Sequence, residues 1–335
     1  MRNPHGVYTV RFCHARNILF VMTQVVHDAH IGCYIAVPVD SFEGDVLKYP
    51  EWTFGGKRNG RLPENTPDIA IDPDDGRITL INTSATAKTY FVTVSNSPRV
   101  MTSTGAEFAL VTGLMDEYVT FIALVYPGFS VGLCRLVPGL RSKKKRLSQS
   151  ELTRVQVSSD VQDFVETAVS SDSFEIDVFP LAAGSPSDTF LCTQSAGGAL
   201  THFAHPSTFY AVDFRCAIGT PVVAIFDGEV VEIRNDSTNS GVRVEDLFSW
   251  NSILIKSADD SNVVFCEYVH VKKDSFKVSI GQRIHKGEII CDSGAAGFCP
   301  EPHLHLEIHR DSIAGSPSVP IKWRGAPFEA GLSYP

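Results

Sequence analysis

The sequence predicts a mainly β chain in two parts: a β-rich N-terminal domain over residues 1–140 and an antiparallel β-sheet domain over 190–325, joined by a connector over 141–189. Three observations carry this expectation. Apolar runs are short and rich in β-branched and aromatic residues, as in Thr89-Tyr-Phe-Val-Thr-Val-Ser95, which suits a pleated, half-buried surface. Turn sequences punctuate them, Asp72-Pro-Asp-Asp-Gly76 in the first half and Asp227-Gly228 in the second. Helical periodicity is nearly absent beyond residue 190, where an amphipathic helix would repeat its apolar residues every three to four positions.

Taken in order, Ile18 to Val26 follows Arg11 and Arg16 as the apolar stretch of a signal peptide would. No small-residue cleavage site follows, so an ordinary strand is expected. Arg77 to Asn82 is a strand leaving the Asp-Gly turn, and Met115 to Tyr126 holds one strand or two. No ligands or nucleophiles cluster in this half, and no chemistry is assigned to it. In the connector, Arg141-Ser-Lys-Lys-Lys-Arg146 reads as a solvated linker. Ser148-Gln-Ser-Glu-Leu152 opens like a capped helix, Val161 to Val169 as a second short helix, and Ser185 to Asp188 as a turn. Beyond it, Pro221 to Phe226 and Glu229 to Ile233 flank Asp227-Gly228 as a hairpin. Ser252 to Lys256 and Val263 to Val271 form a second strand pair, Gly281 to Ile290 a further turn and strand, and Leu304 to His309 closes the series.

Composition narrows the function. The 335 residues suffice for two domains with real cores. Lys and Arg total 29 against 38 Asp and Glu, a net charge of -9, so a broad nucleic-acid surface is not expected. No run reaches the length of apolar chain a membrane span needs. The eight cysteines include no Cys-x-x-Cys pair, which disfavours a cysteine-zinc knuckle. Cys291 and Cys299 flank a Gly-rich loop and are either bridged or idle buried thiols.

The most informative stretch is Glu301-Pro-His-Leu-His-Leu-Glu-Ile-His309. On a strand, residues two apart share a face, so His303 and His305 project together while Leu304 and Leu306 face the core. Two imidazoles on a rigid strand suit a metal, although paired histidines are common on exposed strands. Other residues sharpen the reading. Asp213 sits in the apolar run Tyr210-Ala-Val-Asp-Phe214, where a lone carboxylate is costly unless paired or bound to a cation. His202 and His205 lie upstream, and His270 lies on another strand, in Tyr268-Val-His-Val271. A catalytic zinc keeps three protein ligands and one open position. An upstream histidine, Asp213 and one member of the His-Leu-His pair supply three, leaving imidazoles to move protons or stabilise an oxyanion.

Residues 190 to 310 resemble the lysostaphin-type (LytM-like) zinc metallopeptidase domain. Its members carry a His…Asp, a Tyr-x-His and a terminal His-x-His in that order. Here the matching stretches are Tyr210-Ala-Val-Asp-Phe, Ile218-Gly-Thr-Pro-Val, Ala224 to Gly228, Trp250-Asn-Ser-Ile-Leu-Ile, Tyr268-Val-His-Val, Gly281-Gln-Arg-Ile-His-Lys-Gly and Pro302-His-Leu-His-Leu-Glu. The resemblance implies a C-terminal antiparallel β-sheet metallopeptidase domain holding one Zn2+ per chain. It makes Asp213 and His305 ligands, and His270 and His303 the non-ligand catalytic pair. The first ligand departs from the four-residue His…Asp spacing of many members. Gln194-Ser-Ala-Gly-Gly-Ala-Leu-Thr-His202 is similar to a subset with a longer gap, which favours His202, with His205 the rival.

The resemblance further implies an endopeptidase acting by attack of zinc-bound water on peptides or peptidoglycan cross-links, working outside the cell or in its envelope, although no clear signal peptide is present. The alternative is a catalytically silent binding or regulatory protein that keeps the fold. Among the remaining polar residues, His285 and His309 are expected to be exposed, and Asn251 structural. Glu307 either orients an imidazole or is a plain surface carboxylate.

Overall fold

The computed structural model describes residues 7–13, 18–24, 33–38, 68–164 and 170–335, apart from 73, 98, 102–107, 109, 113–115, 129, 140–145, 171, 186, 199 and 200. The chain divides into two compact units, Met1–Phe164 and Val165–Pro335. Among the described residues, the regular secondary structure of both is mostly strand. No helix among the described residues is long and apolar enough to cross a membrane.

Among the described residues, the first unit holds two sheets. One runs Val7–Cys13, Ile18–Gln24, Cys33–Pro38, Glu117–Val125, Lys88–Ser95, Gln156–Asp163, with Val111–Thr112 added along Glu117–Val125. The other runs Ile69–Ile71, Arg77–Ile81, Ser130–Leu136, Val100–Met101. Their shared core contains Ile78, Leu80, Tyr90, Val92, Val119 and Phe121. The Asp72–Gly76 turn forms as expected, Gly76 N donating to the Asp72 carbonyl. Met115 to Tyr126 resolves into the single strand Glu117–Val125.

The expected connector is shared between the units. The helix after Ser148 is one turn, Gln149–Leu152, with Ser148 N donating to the Glu151 carboxylate. The helix expected over Val161 to Val169 is not there at its start: residues 161–163 end the strand Gln156–Asp163, paired along its length with Lys88–Ser95. Pairing with the neighbouring strand overrides the local helical reading; residues 165–169 lie outside the described ones. The basic run, except Arg146, also lies outside them. Phe174–Ile176 already belongs to the second unit, pairing in parallel with Ile321–Trp323.

The second unit is organised by an antiparallel eight-stranded sheet. Its order is Arg283–Ile284, Gly228–Arg234, Ser252–Ser257, Phe265–Val269, His303–His309, Val212–Arg215, Phe190–Gln194, Ser333–Tyr334. Period-two alternation gives the central strands two chemical faces. Val212, Phe214, Cys266, Tyr268, Leu304, Leu306 and Ile308 line the core. The polar alternates of the same strands are Asp213, His303, His305, Glu307 and His309, all buried, and the half-buried Glu267.

One expected pairing fails. Pro221–Val223 and Gly228–Arg234 do not form a hairpin about Asp227-Gly228: the first pairs with Ile289–Asp292, the second with Ser252–Ser257 and Arg283–Ile284. A two-residue Asp-Gly turn of the favoured type needs positive φ at both residues, and neither has it. Gly228 serves a different need, because a Cβ there would collide with the Lys256 carbonyl oxygen of the neighbouring strand.

Tyr268 ties this core to the loop after Pro221–Val223. Its fully buried ring places the hydroxyl 2.9 Å from Ile225 N, which donates to it. Tyr268→Phe leaves that buried N–H unpaired, so it is expected to destabilise the protein by about 1–3 kcal/mol. Equilibrium denaturant unfolding checks this; an unchanged midpoint and slope would contradict it.

Candidate metal centre

Three adjacent strands bring the polar residues together. In the strand register Asp213 lies opposite His305, Arg215 opposite His303, Val269 opposite His305 and Glu267 opposite Glu307. His202 enters from a single 3-10 turn, His202–Ala204, and is completely buried. His270 follows the last residue of Phe265–Val269 and adopts φ +62. That left-handed conformation is uncommon for a residue with a Cβ and is found where a site dictates it. Gly294 makes room for it, since a Cβ there would lie 2.8 Å from the His270 carbonyl oxygen.

Main-chain carbonyls orient three of the imidazoles. His202 Nδ1 lies 3.1 Å from Ser195 O, His270 Nδ1 2.6 Å from Ala296 O, and His303 Nδ1 2.7 Å from Glu301 O. A carbonyl only accepts, so each Nδ1 carries a proton, and in the neutral form of each ring the lone pair is on Nε2. Glu301 is itself fixed by a two-pronged pair with Arg215, at 2.7 and 2.9 Å. His305 is arranged the other way. Its Nδ1 is 2.8 Å from Asp213 Oδ1 and its Nε2 3.1 Å from Glu307 Oε2.

Asp213 is the hub. Oδ1 faces His305 Nδ1 and, at 3.2 Å, His202 Nε2; Oδ2 lies 3.7 Å from His303 Nε2. Gln194 Nε2 donates to Oδ2 at 2.6 Å. The strand register shifts between Cys192 and Gln194, the kind of irregularity that re-aims a side chain.

Burial and proximity set the charges. Burial works against the Asp213 charge, yet the adjoining rings of His202, His303 and His305 hold its carboxyl well below the usual carboxylate range. Burial, aided by neighbouring His303 and His305, pushes His270 well below the usual imidazole range and keeps it neutral. For His305, burial is outweighed by hydrogen bonds to Asp213 and Glu307, which push it up to about 10. Glu307, despite burial, is brought down to about 2 by hydrogen bonds from His305 and His309.

His202, Asp213 and His305 can each present one ligand atom, all within 4.8 Å of one another, and so can His270, His303 and His305. His205 is in neither group. It is half-buried, and its Nδ1 lies 2.8 Å from Ser207 Oγ. His285 is exposed, as expected. His309 is not: it is 6% exposed, with Nε2 3.1 Å from Glu307 Oε1. Glu307 is likewise buried between two imidazoles and is no surface carboxylate. Asn251 is buried, and its amide bonds to Ser237 and Val271 main chain. Cys291 and Cys299 are unbridged buried thiols.

Sequence reasoning missed two contributors. Gln194 ends an apolar strand, and nothing local marks its amide as a partner of Asp213. Glu267 lies between Cys266 and Tyr268 of the core, and period-two alternation alone would have placed it on the histidine face.

The donor set fits zinc. Two imidazole nitrogens and one carboxylate oxygen make a three-ligand set of the kind that leaves a position open. With its proton on Nδ1, the fully buried His202 turns a lone pair on Nε2 toward the Asp213 carboxylate, and no donor satisfies it. A buried acceptor left idle is costly, and a cation would use it. Oδ1 of Asp213 is the oxygen that His202 and His305 both face, while Oδ2 is held by Gln194.

Comparisons with known proteins agree with this chemistry. Residues 207–317 match the model of peptidase family M23. His202 stands five residues ahead of the matched stretch. The chain is 36% identical over 107 residues to the glycyl-glycine endopeptidase ALE-1 of Staphylococcus capitis, covering 32% of this chain and 26% of that one. It is 30% identical over 109 residues to the peptidoglycan DD-endopeptidase ShyB of Vibrio cholerae, covering 31% and 22%. The match thus spans about a quarter of the length of these relatives. Among solved structures, the antimicrobial peptidase lysostaphin of Staphylococcus simulans aligns over 38% of this chain and 46% of its own, at 28% identity and a TM-score of 0.29.

Proposed function

We propose that this chain, which carries an M23 domain, is a zinc metalloendopeptidase that hydrolyses peptide bonds in peptidoglycan cross-links or similar short peptides, at the cell envelope or outside the cell. The observation that supports it most is the convergence of His202, Asp213 and His305, with His270 and His303 beside them. In this reading His202 Nε2, Asp213 Oδ1 and His305 Nδ1 hold one zinc. When bound, zinc supplies a Lewis acid and makes a water acidic enough to attack a carbonyl near neutral pH.

The chain's own residues do the rest. His270, kept neutral by burial, presents Nε2 as a proton acceptor beside His303, the ring centroids 4.6 Å apart. Either ring can take the proton of the attacking water on Nε2 and, then cationic, donate from that nitrogen to the oxyanion as it forms. The scissile C–N bond then breaks as the departing amine receives a proton from the same pair. Gln194 and the Arg215–Glu301 pair hold Asp213 and His303 in place so that little reorganisation accompanies the reaction. Cleavage of purified peptidoglycan or a polyglycine peptide, followed by mass spectrometry of the products, tests this. Zinc-loaded protein that cleaves neither would favour the silent binding protein instead.

Zinc should also stabilise the fold, because an ion that binds only the folded state adds about 2.7 kcal/mol when free at a hundred times its Kd. A strong chelator is therefore expected to lower the unfolding midpoint, and added zinc to restore it. A midpoint indifferent to both would contradict the site.

A further inference from the structure

We propose that Glu307 and His309 are positioning residues, the far links of a buried chain from His305 that fixes the proton arrangement of that ring and thereby how tightly zinc is held. This inference rests on the zinc reading above and extends it to two residues that hold no metal themselves.

The strand His303–His309 is the physical basis. Its odd-numbered residues share one face, about 7 Å from one to the next, and all four are buried. Glu307 therefore stands between two imidazoles. Its Oε2 is 3.1 Å from His305 Nε2, and its Oε1 is 3.1 Å from His309 Nε2. An ionised carboxylate accepts and cannot donate, so both rings must donate. Because Glu307 commits Nε2 as a donor, Nδ1 beside Asp213 is the nitrogen that gives up its proton and offers a lone pair when a cation binds. A carboxylate on the far side of a ligating imidazole is a recurring means of fixing its tautomer and raising its basicity.

His309 matters because Glu307 has an opposing neighbour. Directly across the strand pair lies Glu267, a half-buried carboxylate. Its carboxyl is raised, first by desolvation and then by Glu307, so the two acids oppose each other. Trp250 Nε1 lies 3.4 Å from Glu267 Oε1 and steadies that side. On the other side His309 gives Glu307 Oε1 its donor. Without His309, the Glu307 carboxylate loses one of its two imidazole anchors and is free to turn away from His305.

The test is the zinc Kd of the full chain, measured by competition with a chromophoric chelator at fixed pH. Glu307→Ala is expected to raise Kd about 10- to 100-fold. His309→Leu should raise it by a smaller factor, and His309→Gln, whose amide can still donate to Glu307, should recover most of that loss. Because His309 acts through Glu307, the double variant should match Glu307→Ala within about twofold. Two independent structural defects would instead multiply, and that result would remove His309 from the chain. Thermal unfolding of the metal-free proteins identifies any variant that does not fold; Glu307→Gln, nearly the same shape with one acceptor lost, then replaces Glu307→Ala. Wild-type binding with Kd unchanged in the Glu307 variants overturns this inference and leaves the zinc reading standing. A wild type that binds no zinc overturns both.

Discussion

Asp213→Ala is expected to reduce zinc from one per chain to a trace and peptide-bond cleavage by at least about 10³-fold, the upper scale for losing one preorganised electrostatic group. The size follows from its place as the hub. Its Oδ1 faces both His202 Nε2 and His305 Nδ1, so removing it takes away the only carboxylate of the set. It also leaves Gln194 Nε2 without its 2.6 Å acceptor. Asp213→Asn, similar in shape but uncharged, should keep the fold and still bind zinc weakly. Elemental analysis of the purified variants checks both, and stoichiometric zinc in Asp213→Ala would contradict the ligand set.

His303→Ala is expected to behave in the opposite way toward the metal, keeping zinc while kcat falls about 10²- to 10⁴-fold, the range for a positioned acid or base. Its Nδ1 is committed to Glu301 O, and its Nε2 lies nearer to Asp213 Oδ2 than to the oxygen that His202 and His305 share. His270→Ala should show the same split. Parallel measurement of bound zinc and kcat separates the roles. Loss of zinc in His303→Ala would move that residue into the ligand set, and unchanged kcat would remove it from the chemistry.

Much of this arrangement was legible in the chain because a strand has a period of two. His303 and His305 share a face for that reason alone, and Asp213 stood out as a carboxylate in an apolar run. The limits were equally physical. His202 and His205 lie three residues apart in a segment without periodicity, and only the 3-10 turn separates a fully buried ring from a half-buried one. His309 looked like a polar strand end, but Ser318 from distant chain pairs with its backbone and the residue is buried. Such a covering leaves no local pattern. The Asp227-Gly228 hairpin failed for a similar reason: the glycine answers to the close approach of Lys256 rather than to a turn.

Anomalous diffraction at the zinc edge, from crystals of the zinc-loaded protein, tests most directly whether one zinc sits among His202, Asp213 and His305. The predicted result is a single strong peak with His202 Nε2, Asp213 Oδ1 and His305 Nδ1 at about 2.0–2.2 Å and His270 and His303 outside bonding distance. No peak, or a peak bonded to His205 or to His270 and His303 in place of Asp213, would contradict it.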